Sequence, residues 1–144
     1  MSEENLERLR PRLEEWDPKA EVEAARRGQV IPGIEVIDPE VTFEDAVLPD
    51  HAGETYHGYE GIMRATEQWL EAFETIDIEL DRIVGTGDRV VSIHQARMKA
   101  KHTGIELDSD LAYIWTFRDG RVIHIKGFVD LPEALAAAGL SGAA

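Results

Sequence analysis

The most regular patterning in the chain runs from residue 76 to residue 130, where four segments of alternating polar and apolar residues follow one another with short turns between them. A period of two predicts strands with one buried face. The last two segments, 111–117 and 121–125, flank Arg118-Asp119-Gly120, and Asp-Gly between two such runs predicts a hairpin. A two-residue turn would put Tyr113 and Trp115 on the face of His124 and Lys126. A three-residue loop, with Gly120 left-handed as a bulge, puts them beside Ile123, Ile125 and Val129. One face must be apolar and a one-residue slip exchanges the faces, so the three-residue loop is expected.

Charge suggests the register of the preceding hairpin. One face of its first strand carries Val90, Ser92, His94, Ala96, Met98 and Ala100, and the other carries Arg97, Lys99 and Lys101. The next strand sets Leu107, Ser109, Leu111, Tyr113, Trp115 and Phe117 against Glu106, Asp108 and Asp110 on its opposite face. A loop over 102–105 pairs Lys101 with Glu106, Lys99 with Asp108 and Arg97 with Asp110 at once. That register sets His94 opposite Tyr113 and Ser92 opposite Trp115. On the outer side it sets Ile93 opposite Ile114.

Ahead of the strands the period changes. Leu6, Leu9, Leu13 and Trp16 at three-to-four spacing predict an amphipathic helix over 3–16, with Pro11 splitting or kinking it. Asp17-Pro18 starts a second helix over 19–27 that Gly28 stops. Residues 34–37 read as extended or as one helical turn. Asp38-Pro39-Glu40 reads as a turn before a first strand over 41–45. After a loop over 47–55 and a short strand at 56–58, a long helix reaches residue 74, with Ile62, Met63, Thr66, Trp69, Leu70 and Phe73 on one stripe. Ile83 falls out of phase with Ile76, Ile78 and Leu80, predicting a bulge at Asp81-Arg82. Gly85-Thr86-Gly87 turns the chain, a short helix over 131–139 closes the pattern, and residues 141–144 fray. The layout is one α+β domain in which a curved, mostly antiparallel sheet wraps a long helix, leaving a cavity against its concave face.

Composition narrows the functions. The 144 residues hold 29 acidic and 15 basic side chains, a net charge of −14 that repels nucleic acid and anionic membranes. No apolar run is of membrane-spanning length, and the first residues lack a secretory signal. With no cysteine, disulfides and thiolate chemistry are excluded, and a cytoplasmic location is expected. No glycine-rich phosphate loop is present, so no organic cofactor is expected. His51 and His57 with Asp50 or Glu54 match no metal-site spacing, so no metal is expected either.

His94 is the sharpest candidate for chemistry, because an apolar wall does not need an imidazole; the plainer reading is a core histidine bonded to Tyr113. Tyr56, Trp69, Phe73, Met98, Leu111, Trp115 and Ile125 are expected to bind a flat apolar or aromatic ligand, or else to be core. Val91, Ile93, Ala112, Ile114 and Phe128 make an apolar patch on the far side of the sheet, which predicts a homodimer through that face.

Asp38-Pro-Glu-Val-Thr-Phe-Glu-Asp45, Tyr56-His-Gly-Tyr-Glu-Gly61, Gly87-Asp-Arg-Val-Val91 and Trp115-Thr-Phe-Arg-Asp-Gly-Arg-Val122, in that order, resemble the SnoaL-like, or nuclear-transport-factor-like, superfamily of ketosteroid isomerases and polyketide cyclases. The resemblance covers about residues 38–140 and implies a cone-shaped, cystatin-like α+β barrel with a deep pocket and usually a homodimer. It also implies that Asp45 stands where the isomerases have their base and Tyr113 where they have a donor aspartate. Gly127 stands where the cyclases commonly have a carboxylate, and the first helix holds no tyrosine, so steroid isomerisation itself is not expected. The expected function is acid–base isomerase or cyclase chemistry on an apolar carbonyl compound by Asp45, His94 and Tyr113. Non-catalytic ligand binding is the alternative, and an epoxide hydrolase ranks last because Arg97 faces outward.

Overall fold

A computed structural model describes residues 2–31, 33–45 and 54–139. The first helix, α1 (Ser2–Glu14), buries Leu9 completely and runs unbroken through Pro11. The proline ring lies on the exposed side, where the carbonyl deprived of its N–H partner meets water, so the expected break does not occur. Asp17 caps α2 (Pro18–Arg26) by accepting the Ala20 N–H at 3.2 Å. The two helices are clamped by a buried ion pair, Arg12 to Glu21, at 3.0 Å.

A single 3-10 turn (Ile34–Val36) leads into β1 (Ile37–Glu44). The strand therefore starts ahead of the turn expected at Asp38-Pro39-Glu40. That signal marks a bulge instead: Asp38 Oδ1 accepts the Glu40 N–H at 2.8 Å, and pairing with the last strand jumps from Ile37 to Thr42. The short β2 (Thr55–His57) pairs with β1 and feeds α3 (Gly58–Ala72), whose buried stripe includes Ile62, Met63, Thr66 and Trp69. The strands β3 (Phe73–Thr86), β4 (Arg89–Ala100), β5 (Glu106–Arg118) and β6 (Arg121–Phe128) follow, then α4 (Leu131–Ala137). The six strands form one curved, unclosed sheet in the order β2-β1-β6-β5-β4-β3, antiparallel except between β1 and β6. The expected bulge in β3 is present at Asp81. The loop expected over 47–55 lies outside the described residues as far as 53, as do Asp50, His51 and the tail after 139.

Both hairpin registers differ from expectation, yet the faces do not. Asp119 (φ 53°) and Gly120 (φ 80°) form a two-residue turn closed by Arg118 and Arg121, not a three-residue loop. A bulge at Ile123 supplies the missing residue further along, so Trp115 still pairs with Ile125, and Tyr113 with Gly127. In the β4–β5 hairpin the partners are shifted by two. Lys99 pairs with Glu106, Arg97 with Asp108 and Gln95 with Asp110, while His94 lies opposite Leu111 and Ser92 opposite Tyr113. Lys101 does not meet Glu106 because it serves α3: its ammonium donates to the Leu70 carbonyl at 3.1 Å and its backbone N–H to Ala72 at 2.9 Å. Cationic capping of a helix C-terminus favours this placement. Exposed strand charge pairs contribute only about 0–1 kcal/mol and do not set the register. A shift of two preserves parity, so each side chain keeps its face.

The apolar patch on the far side of the sheet is covered within the chain. Val91, Ile93, Ala112, Ile114 and Phe128 are all buried, packed against Leu131, Ala134 and Ala138 at the C-terminal helix. Asp130 caps α4 through the Glu133 N–H, and Arg89 donates to the Ala137 carbonyl at 3.0 Å, fixing both helix ends. Val91, Ile93, Ile114 and Phe128 are therefore not the exposed patch from which a homodimer was expected: small alanines seat α4 directly on this surface. No helix among the described residues is long and apolar enough to cross a membrane.

Candidate functional site

Between α1, α3 and the concave face of the sheet lies a cavity of about 110 Å³. That is several times the room a single water needs. Strand alternation brings Asp45, just beyond β1, His94 of β4 and Tyr113 of β5 to this one space. Trp69 of α3, Trp115 of β5 and Ile125 of β6 complete the part of the wall expected from sequence.

Asp45 is only 6% exposed, and its Oδ2 accepts the Trp69 indole N–H at 2.6 Å. Tyr113 stacks between Phe43 and Trp115, with ring centroids 6.4 and 6.2 Å away. Burial, and then the charge of Asp45, push its phenol well above the ordinary tyrosine range. The His94 ring stands edge-on to Tyr113 at 5.8 Å, a diagonal rather than a facing pair. Burial lowers its pKa to about 4, so the imidazole is neutral at pH 7. Its Nε2 lies 2.8 Å from Ser92 Oγ, which also accepts the Trp115 indole N–H at 2.8 Å.

Gly127 makes the meeting of Asp45 and Tyr113 sterically allowed. A Cβ there would sit 2.8 Å from Tyr113 Cε1 and 3.3 Å from Asp45 Oδ1. Any other residue at this position must push the phenol aside.

Four residues expected at the ligand do not line the cavity. Tyr56 is fully buried on β2; its phenol donates to Gln68 and its ring lies under the Arg64 guanidinium at 5.0 Å. Met98 and Leu111 are close-packed against Trp69 in a separate cluster. Phe73 opens β3 instead of ending α3, and stacks edge-on against Trp69 at 6.0 Å. These four support the wall from behind.

Sequence reasoning missed Arg12 and Leu13 of α1 and Trp16 just beyond it, and Phe43 and Ile78 from the sheet. Two signals were available. Arg12 interrupts the apolar stripe Leu9, Leu13, Trp16 at helical spacing, and Phe43 alternates with Asp45 along β1. Among the described residues no group of three histidine, aspartate or glutamate side chains is arranged to hold a metal ion.

Solved structures share this fold. An NTF2-like protein of unknown function from Burkholderia pseudomallei is 21% identical, with 96% of this chain and 98% of that one covered and a TM-score of 0.65. A protein named provisionally as a SnoaL-like polyketide cyclase, from Jannaschia, is 18% identical over 95% and 92%, with a TM-score of 0.68. A ketosteroid isomerase-like fold from Catenulispora acidiphila, solved in complex with trimethylamine, is 16% identical over 97% and 95%, with a TM-score of 0.62. No curated protein matches the chain. The SnoaL-like domain model matches residues 19–125, which take in α2, α3 and nearly the whole of the sheet. By that match, and by the open sheet curved around α3, the chain belongs to the SnoaL-like domain family.

Proposed function

We propose that the cavity binds a small, largely apolar carbonyl compound and moves a proton on it, as an isomerase or cyclase does. The observation that carries this reading is the convergence of one carboxylate and two neutral donors, Asp45, Tyr113 and His94, on a single aromatic-walled space. Asp45 removes a proton from the carbon beside the carbonyl, and the Trp69 N–H holds the carboxylate in one orientation. The negative charge that builds on the carbonyl oxygen is met by the Tyr113 hydroxyl and the His94 ring N–H. Both donors keep their protons at neutral pH, the phenol because its pKa is raised and the imidazole because it never charges. Return of the proton to a different carbon completes an isomerisation, and attack of the enolate on a second carbonyl completes a cyclisation.

A second reading, ligand binding without chemistry, is favoured by one observation. Asp45 is nearly inaccessible and already accepts a 2.6 Å bond, so its role can be confined to fixing Trp69 in the wall. An epoxide hydrolase ranks below both, since Arg97 projects away from the cavity with its side chain 77% exposed.

The test is a thermal-shift screen of aromatic and alicyclic ketones, followed by exchange of their α-protons in D2O monitored by NMR. Wild-type protein is expected to accelerate exchange of a ligand that raises the melting temperature, and Asp45→Asn to abolish it while still binding. Binding with equal exchange in both proteins leaves the non-catalytic reading; no ketone binding at all refutes the carbonyl ligand.

A further inference from the structure

Behind His94 the inner wall contains a hydrogen-bonded relay, Trp115 to Ser92 to His94, whose first two members take no part in the proton transfer. Its polarity follows from counting protons. An indole N–H only donates, so Ser92 Oγ is an acceptor toward Trp115. Ser92 is completely buried, and among the described residues its one remaining partner is His94 Nε2. Were Nε2 protonated, the serine would accept twice and its own hydroxyl proton would be buried with no acceptor, an arrangement that folded proteins avoid. The serine must therefore donate to Nε2, which leaves the ring proton on Nδ1. That N–H has no partner among the described residues, although His94 is only 6% exposed and lines the cavity.

We infer that Ser92, oriented by Trp115, is a positioning residue that locks the His94 proton on Nδ1, so that the imidazole meets the ligand as a hydrogen-bond donor and never as a base. The inference rests on the proposed function for its ligand and narrows it. The group that docks against His94 must be an acceptor, such as a carbonyl or ether oxygen; an ammonium or another donor-only group finds nothing to bind there. It also divides the work of the site, leaving Asp45 as the sole base.

The experiment is long-range 1H–15N correlation of the imidazole rings in the ligand-free, full-length, 15N-labelled protein. The His94 signals are identified by their loss in His94→Asn. The expected wild-type pattern has a protonated Nδ1 and a bare, hydrogen-bonded Nε2, unchanged from pH 8 to pH 5.5. In Ser92→Ala the Nε2 resonance is expected to move to the position of a nitrogen without a donor, and Ser92→Thr, which keeps the hydroxyl, to retain the wild-type position. A proton found on Nε2 in the wild type overturns the inference without recourse to any variant, and so does an unmoved Nε2 resonance in folded Ser92→Ala. The two ideas fail separately. An Nδ1-protonated His94 in a protein that binds no ketone sinks the proposed function alone, and an Nε2-protonated His94 in a protein that exchanges ketone protons sinks the relay alone.

Discussion

Strands β4, β5 and β6 contribute to both faces of the sheet, and the two faces solve opposite problems. On the outer face, Val91 and Ile93 of β4 meet Ala112 and Ile114 of β5 and Phe128 of β6 under the alanines of the C-terminal segment. On the inner face the same strands place Ser92, His94 and Tyr113 among aromatic neighbours and leave a cavity. An apolar face needs only matching volume to be stable. A face with buried polar groups needs a partner for each one, and any donor without a partner in the protein is a point where a ligand gains an interaction. The outer face is thus packed without polar demands, whereas the inner face holds buried polar groups and empty space that packing alone would not require.

The comparison is broken most severely by emptying the outer face. Phe128→Ala removes a side chain that is 6% exposed and is expected to cost about 3–5 kcal/mol by urea unfolding, with ligand binding unchanged in the fraction that remains folded. If binding fails in step with stability, the two faces are not independent.

Next in size is a pH effect confined to the inner face. An unfolded histidine titrates near 6.5, whereas the folded His94 titrates at about 4. Between these values the unfolded chain takes up a proton that the native chain refuses. The contribution is thus complete above pH 6.5 and is lost as pH falls toward 4, by at most about 3 kcal/mol. Glu21 works in the opposite direction, since burial raises its pKa against the pull of Arg12, and its contribution grows as pH falls. Unfolding curves of wild type and His94→Gln, subtracted at each pH, should isolate the histidine; parallel curves would contradict its burial as a neutral ring.

A smaller effect is expected from Trp69→Phe, which keeps the ring and removes the N–H that Asp45 accepts. About 1–3 kcal/mol should be lost, with ketone proton exchange falling more than ketone binding. Smallest of all, Arg97→Ala breaks a 3.9 Å pair whose side chains are 77% and 70% exposed, and should change stability by less than about 0.5 kcal/mol.

The alternation of the strands is legible because it has a period of two, and at the level of the site both register differences leave each side chain on its expected face. The β4–β5 pairing slipped by two residues because weak surface charges were read as decisive when Lys101 was committed to the end of α3. The turn at Asp119-Gly120 came out one residue short, and the bulge at Ile123 restored the faces. His94, Tyr113 and Asp45 could be gathered on one side for this reason. What could not be read was how layers stack. Nothing in an alanine-rich terminal segment announces that it seals the patch at Ile93 and Ile114. Met98 and Leu111 alternate as well as Trp115 does, and only packing against Trp69 removes them from the cavity. Arg12 and Leu13 of α1, and Trp16 just after it, reach the site through the folding back of α1, a contact far apart in sequence that local periodicity does not encode.

Gly127 offers β6 a way to change the protein without rebuilding it. Its hydrogen bonds in the ladder use only the main chain, so a first methyl group added there leaves the strand pairing intact and acts wholly on the aromatic ring and the acid in front of it. The shape of the cavity is therefore set from a single blank position, where even one added carbon costs about 1–3 kcal/mol of overpacking before the ring gives way.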